Sequence, residues 1–145
     1  MTIERILRDK GSHVVSVGPD DNAMTIVRTL AEHRIGAVLV RDGAGAVLGI
    51  VSERDLVRAM ATHGGGAADL LASQLMTRVL HTVTPHTTVV EALAMVTGRR
   101  VRHLPVLAAD GSLAGMVSIG DLVKARIAEA EQEASDLRVY VATAG

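Results

Sequence analysis

The chain has 145 residues, a net charge of −1, 48% hydrophobic residues and 21% charged ones, a balance that suits a folded globular protein and not a disordered one. Near-neutral charge excludes a broad basic face for nucleic acid and a polybasic membrane signal, and the absence of cysteine excludes disulfides, thiol catalysis and thiolate-ligated zinc or iron–sulfur clusters. With no Trp, no Phe and Tyr140 as the one aromatic residue, the core must be aliphatic, and base stacking of the kind used by single-strand binders has no platform.

The first twelve residues, MTIERILRDKGS, lack the apolar core of a signal peptide, and no apolar run approaches the length that spans a bilayer. The expectation is a cytoplasmic protein with neither membrane nor nucleic acid as a partner. After a lead-in helix containing Ile6-Leu7, residues 14–17 read as a short strand. Pro19 marks a turn, and Ala23, Ile26, Val27 and Leu30 follow the i, i+3, i+4, i+7 spacing of an amphipathic helix. The run Ala37-Val38-Leu39-Val40 reads as a buried strand, residues 42–45 as a glycine-containing hairpin turn, and 47–51 as a third strand leading into a helix capped by Ser52. His63-Gly64-Gly65-Gly66-Ala67-Ala68 reads as a flexible linker by composition. Residues 69–76 read as a short helix, whose Leu75-Met76 resembles Ile6-Leu7.

The same order then returns: a strand at 80–83, a turn at Pro85, a helix through Val89, Ala92, Leu93 and Val96, a strand at 104–107, a turn at 109–112, a strand at 113–117 and a helix capped by Ser118. GIVSERDLVRA, starting at Gly49, matches GMVSIGDLVKA, starting at Gly115. One ungapped offset of 66 residues carries Pro19 onto Pro85, Val40 onto Val106, Gly45 onto Gly111, Ser52 onto Ser118 and Asp55 onto Asp121. Each copy is β-α-β-β-α. Residues 126–137 extend the last helix, Val139, Tyr140 and Val141 are the last residues able to pack, and 142–145 form a loose tail.

Ser-x-x-Asp before an apolar run has two readings that are compatible with each other. It is a capping box, in which the side chains and amides of the first turn satisfy one another. It is also a ligand-binding pattern: a helix N-terminus attracts phosphate, and a carboxylate can accept hydrogen bonds from both hydroxyls of a ribose. Other signals stay at background. His13, His33, His63, His81, His86 and His103 show no metal-ligand spacing, so no metal site is expected. Gly64-Gly65-Gly66 lacks the Lys-Ser/Thr of a P-loop, and neither Ser52 nor Ser118 has the setting of a hydrolase nucleophile.

The two Gly-x-Val-Ser-x-x-Asp elements at one register, together with Arg102-His103-Leu104-Pro105-Val106, resemble the CBS (cystathionine β-synthase) domain, whose tandem pair is called the Bateman module. The resemblance covers about residues 1–128. It implies an α+β fold, a pseudo-symmetric pair of β-α-β-β-α domains packed through their sheets. Residues 1–66 would form the first domain with its lead-in helix, 67–128 the second, and 129–145 a helical extension and tail. It also implies a regulatory protein with no catalytic residues and no catalytic cofactor. The regulatory ligand would be an adenosine compound such as AMP, ATP, NAD(H) or S-adenosylmethionine. The protein would form a homodimer through amphipathic helices and act through an unidentified regulated protein.

By the same resemblance, Ser52 and Ser118 reach phosphate or ribose, and Asp55 and Asp121 hold the ribose hydroxyls. One composite cleft would join Ser118 and Asp121 to the backbone of Ile35, Gly36 and Ala37. The other would join Ser52 and Asp55 to Thr87, Ala92 and the backbone of Val101, Arg102 and His103. The copies diverge here, because Arg102 and His103 align with Gly36 and Ala37, and Arg54 aligns with Gly120. The two clefts are therefore expected to differ in affinity or ligand. Arg102 and His103 read equally as phosphate ligands and as solvated surface, whereas Arg54 reads first as a solvated helix residue and Lys10, in the lead-in loop, is a weaker candidate still. A structural dimerisation module, in which the motifs only cap helices, is the alternative.

Overall fold

The computed structural model describes residues 1–78 and 81–144; Leu80, expected to open a strand, lies outside the described residues. The chain forms two compact units, one of residues 13–81 and one that joins residues 1–12 to 82–145.

In the unit of residues 13–81, strands β1 (Ser16–Val17), β2 (Ala37–Arg41), β3 (Val47–Ser52) and β4 (Thr77–Arg78) form one sheet in that order. β1 is parallel to β2, and the other pairs are antiparallel. The hairpin between β2 and β3 turns at Gly45, whose φ of 87° is a left-handed conformation that glycine adopts without steric cost. Helix α2 (Ala23–His33) buries Ala23, Ile26 and Leu30 but leaves Val27, expected on the same stripe, exposed; α3 (Glu53–His63) buries Ala59; and Val17, Ile26, Leu30, Val38, Val40 and Val51 form the centre of the core. Residues 63–68 differ from the expected flexible linker: α3 runs to His63 and a 3₁₀ turn spans Gly64–Asp69. Ala67 is buried there, and its carbonyl accepts from the Leu70 amide at 3.2 Å, so packing of one small apolar side chain orders a glycine-rich stretch.

The second unit repeats the hairpin with β5 (His103–Leu107) and β6 (Leu113–Ser118), turning at Gly111 with φ 84°. Among the described residues, the pairing that corresponds to β1 with β2 is a single parallel bridge from Val83 to Val106. Around the hairpin lie α1 (Ile3–Lys10), α5 (Val89–Arg99) and α6 (Ile119–Ala144), over a core centred on Ile3, Val89, Leu104, Val106, Val117 and Leu122. α6 continues to Ala144, through the described part of the stretch expected to be loose; Gly145 lies outside the described residues. Nothing from Ala142 to Ala144 breaks a helix, and the Thr143 hydroxyl donates to the Val139 carbonyl at 3.0 Å.

The division at residue 66 read from the repeat differs from the division by contact. The lead-in helix α1 packs with the second copy of the repeat, and its counterpart α4 (Ala72–Leu75) packs with the first. The bonds correspond one for one. The first amides of α1, at Ile3 and Glu4, donate to the carbonyls of Thr87 and Pro85; those of α4, at Ala72 and Ser73, donate to Asp21 and Pro19. Unpaired amides at a helix start need acceptors, and the Pro turn of each copy supplies two.

This arrangement explains the glycine of Gly-x-Val-Ser. A Cβ on Gly49 would lie 2.7 Å from the Thr77 carbonyl and 2.8 Å from Met76 Sδ, and one on Gly115 would lie 2.7 Å from Leu7 Cδ2. Gly49→Ala should therefore lower stability by about 1–3 kcal/mol, measured by urea unfolding. Gly115→Ala should cost less, because the end of Leu7 can rotate whereas the Thr77 backbone cannot yield. Equal or reversed costs would contradict the contact.

Candidate ligand-binding site

In both units the site is built at the junction where the last strand of the hairpin turns into a helix. Ser52 ends β3 and begins α3. Its hydroxyl accepts from the Asp55 amide at 3.3 Å, while Asp55 Oδ2 accepts from the Ser52 amide at 2.8 Å and from its hydroxyl at 3.0 Å. Ser118 and Asp121 reproduce the reciprocal pair, with 2.9 Å from the Ser118 amide to Asp121 Oδ2 and 3.1 Å from the Asp121 amide to the Ser118 hydroxyl. All four residues are half-buried. The capping reading of Ser-x-x-Asp is thus realised twice.

A backbone segment lies against each junction within its own unit. α2 ends at Arg34 in a left-handed conformation, φ 54°, and α5 ends likewise at Arg100, φ 55°. Such an end reverses the chain at once, and the next residues run straight into β2 or β5. Ala37 pairs with Ser52 across the sheet, and the Glu53 amide donates to the Gly36 carbonyl at 3.0 Å. In the other unit His103 pairs with Ser118, and the Ile119 amide donates to the Arg102 carbonyl at 2.8 Å. Two of the first three amides of each helix are therefore engaged, the second by the serine hydroxyl, so the helix ends offer an anion fewer donors than the sequence suggests.

The thirteen residues expected at the site divide by unit. Ser52, Arg54, Asp55, Ile35, Gly36 and Ala37 lie in residues 13–81, whereas Ser118, Asp121, Thr87, Ala92, Val101, Arg102 and His103 lie in the other unit. Ile35 and Gly36, with Val27, Arg34, Glu53 and Leu56, line a cavity of about 470 Å³. Ala37 is buried, and Arg54 and Arg102 are exposed. Thr87 belongs to the Pro turn, where its hydroxyl accepts from the Thr84 amide at 3.1 Å and its carbonyl holds α1. Ala92 is fully buried in the aliphatic core and presents no surface to a ligand as it stands. Arg34 and Glu53 were not singled out by the sequence; the left-handed helix end that brings Arg34 to the cavity has no glycine to mark it.

The two carboxylates have different neighbours. Thr77 Oγ1 donates to Asp55 Oδ1 at 3.2 Å. Asp121 Oδ2 instead accepts from Lys10 Nζ at 2.7 Å, and the same ammonium donates to the Met116 carbonyl at 3.1 Å. Burial alone pushes the Asp121 carboxyl up, but the Lys10 hydrogen bond and charge, together with the Ser118 amide and hydroxyl, outweigh it and hold the group below the ordinary value. Among the described residues no cluster of His, Asp or Glu is arranged to hold a metal ion, and no helix is long and apolar enough to cross a membrane.

Two units with the same hairpin, junction and capped carboxylate define a tandem module, and comparison with known proteins gives its family. The family model described as CBS domain matches residues 5–62 and 72–128; the chain belongs to the CBS-domain family. It is 34% identical over 148 residues to the mitochondrial CBS domain-containing protein CBSX3 of Arabidopsis thaliana, covering 97% of this chain and 71% of that protein. Among solved structures, the CBS-domain containing protein ATU1752 from Agrobacterium tumefaciens is 43% identical with a TM-score of 0.83, covering 86% of this chain and 92% of that one. The crystal structure of CBSX2 in complex with AMP is 25% identical with a TM-score of 0.70, covering 87% and 96%.

A carboxylate held below its ordinary pKa stabilises the fold above the unfolded value, about 3.9 for Asp, and loses that contribution as pH falls through the folded value. Asp121→Asn should therefore be less stable than the parent at pH 7, and the difference should shrink as the pH drops below about 4. Urea unfolding at both pH values checks this; a difference that persists in acid would mean that the carboxylate charge is not its source.

Proposed function

We propose that this chain is a regulatory sensor for an adenine nucleotide of the AMP, ATP or NAD(H) type, without catalysis of its own, acting through a partner protein. The observation that carries the reading is the pair of half-buried carboxylates, Asp55 and Asp121, each fixed by its serine at the same strand-to-helix junction. A carboxylate held there is shaped for the two hydroxyls of a ribose. The solved complex of CBSX2 with AMP supports the ligand class. The unlike surroundings, Lys10 at Asp121 against Thr77 at Asp55, support sites of unequal affinity. A homodimer belongs to this reading, since Val57 and Met60 of α3 are exposed, apolar and one turn apart.

The reciprocal capping bonds favour a second reading, a structural module whose motifs only stabilise helices. The two readings separate on Asp55→Asn and Asp121→Asn. Under the sensor reading, each variant should weaken AMP binding by about tenfold, the scale of one lost charged hydrogen bond, with apo stability at pH 7 changed by less than about 1 kcal/mol. Calorimetric titration and urea unfolding check the two quantities. Unchanged AMP binding with a large loss of apo stability would favour the capping module. The purified protein gives a prior test: a chain with no Trp and one Tyr absorbs little near 260 nm, so a retained adenine would dominate its ultraviolet spectrum.

A further inference from the structure

α6 carries an apolar seam that its own unit does not use. The helix packs inward through Leu122 and Ala125, which are buried. A second row, Val123, Ile127, Ala130, Ala134, Leu137 and Val141, is exposed along its whole length. Its spacing alternates 4, 3, 4, 3 and 4 residues. That average of about 3.5 is the repeat of helices that wind around one another, because it keeps one stripe facing a partner over many turns. From Glu131 to Ala144 every residue but the half-buried Ser135 is exposed, so about 20 Å of helix at 1.5 Å per residue stands without packing from its own unit. Leu137 and Val141 are both 62% exposed there. A projecting helix of this length is marginal alone in water.

The charges beside the seam select the occupant. In heptad terms Val123, Ala130 and Leu137 are d positions, and Ile127, Ala134 and Val141 are a positions. Arg126 and Glu133 then fall at g, and Glu131 and Arg138 at e. In a parallel pair, g of one helix meets the following e of the other. Arg126, which in the single chain pairs with Glu129 and Glu133 of its own helix, would turn to Glu131 of a second copy, and Glu133 would meet Arg138, so all four contacts of the symmetric pair are attractive. An antiparallel pair with fully overlapped seams would set Glu133 against Glu133 and Arg126 against Tyr140. We propose that residues 123–144 bind the same segment of a second copy as a parallel, in-register two-stranded coiled coil. The seam lies on α6, whereas Val57 and Met60 belong to the unit of residues 13–81, and the pairing does not depend on nucleotide binding.

The chain has no cysteine, so single cysteines report the pairing directly. Ile127→Cys and Leu137→Cys each place a thiol on the seam, and Gln132→Cys places one on the outer side of α6. In the full-length protein under mild oxidation, both seam variants should form the covalent dimer about tenfold faster or more than Gln132→Cys, because only the seam thiols come within disulfide reach. All three positions are exposed, so folding is not at risk. An antiparallel pair can bring only one of the two seam positions opposite itself, and cross-linking at one alone would overturn the parallel register. No preference over Gln132→Cys would overturn the coiled coil, including when light scattering shows a dimer held by another face.

Discussion

The reciprocal bonds between Ser52 and Asp55, and between Ser118 and Asp121, are the constraint around which each unit is arranged. They start a helix at the last residue of a strand, with no loop between, so the helix axis is fixed relative to the sheet. That fixed angle brings the Glu53 amide to the Gly36 carbonyl and the Ile119 amide to the Arg102 carbonyl. The glycine three residues before each serine leaves room for the segment that lies on the strand, Leu7 of α1 at Gly115 and Met76-Thr77, just beyond α4, at Gly49. One carboxylate therefore serves twice, as the acceptor that orders the first turn and as the half-buried charge the site presents.

The local parts of this architecture were legible because they follow from neighbouring residues. Gly45 and Gly111 mark turns that need positive φ, the 3.6-residue spacing of Ile26 and Leu30 or of Val89, Ala92 and Val96 marks helices, and Ser-x-x-Asp marks caps. The tandem repeat and the family followed from these at a fixed offset. The parts that were not legible depend on residues far apart in the chain. Lys10 reaches Asp121 across 111 positions, and the exchange of α1 and α4 rests on bonds to Pro turns in the opposite copies of the repeat. The likeness of Ile6-Leu7 to Leu75-Met76 was its visible trace, since Leu7 and Met76 press on Gly115 and Gly49 in the same way. β4 is two polar residues long and carries no alternation to read. The 3₁₀ turn at Gly64–Asp69 was masked by three glycines whose composition signals freedom, while the anchor is Ala67.

The two units are alike in backbone and unlike in charge. Arg34 and Arg100 end their helices with the same left-handed turn, and the hairpins share a register shift at Val40 and Val106. What differs is placed on that common frame: Thr77 or Lys10 at the carboxylate, Gly36-Ala37 or Arg102-His103 along the strand entry. A duplicated fold can specialise in this way without altering its core, because the residues that differ, Lys10, Thr77, Gly36 and Arg102, lie outside the buried core.

The exchange of lead-in helices also sets an order of assembly. Residues 13–81 are continuous in sequence, so that unit has all its parts once its last strand leaves the ribosome, and domains fold as units during synthesis from the N-terminal side. The other unit is discontinuous: its helix α1 is made before the rest of that unit, and its acceptors at Pro85 and Thr87 and its packing surface at Gly115 come much later. α1 must wait, with Ile3 and Ile6 uncovered, while a complete neighbour forms behind it. Closing that long loop is slow compared with local pairing, so the growing chain carries an apolar helix in search of its seat until Gly115 has emerged, a state in which chaperone contact at α1 has the most to protect.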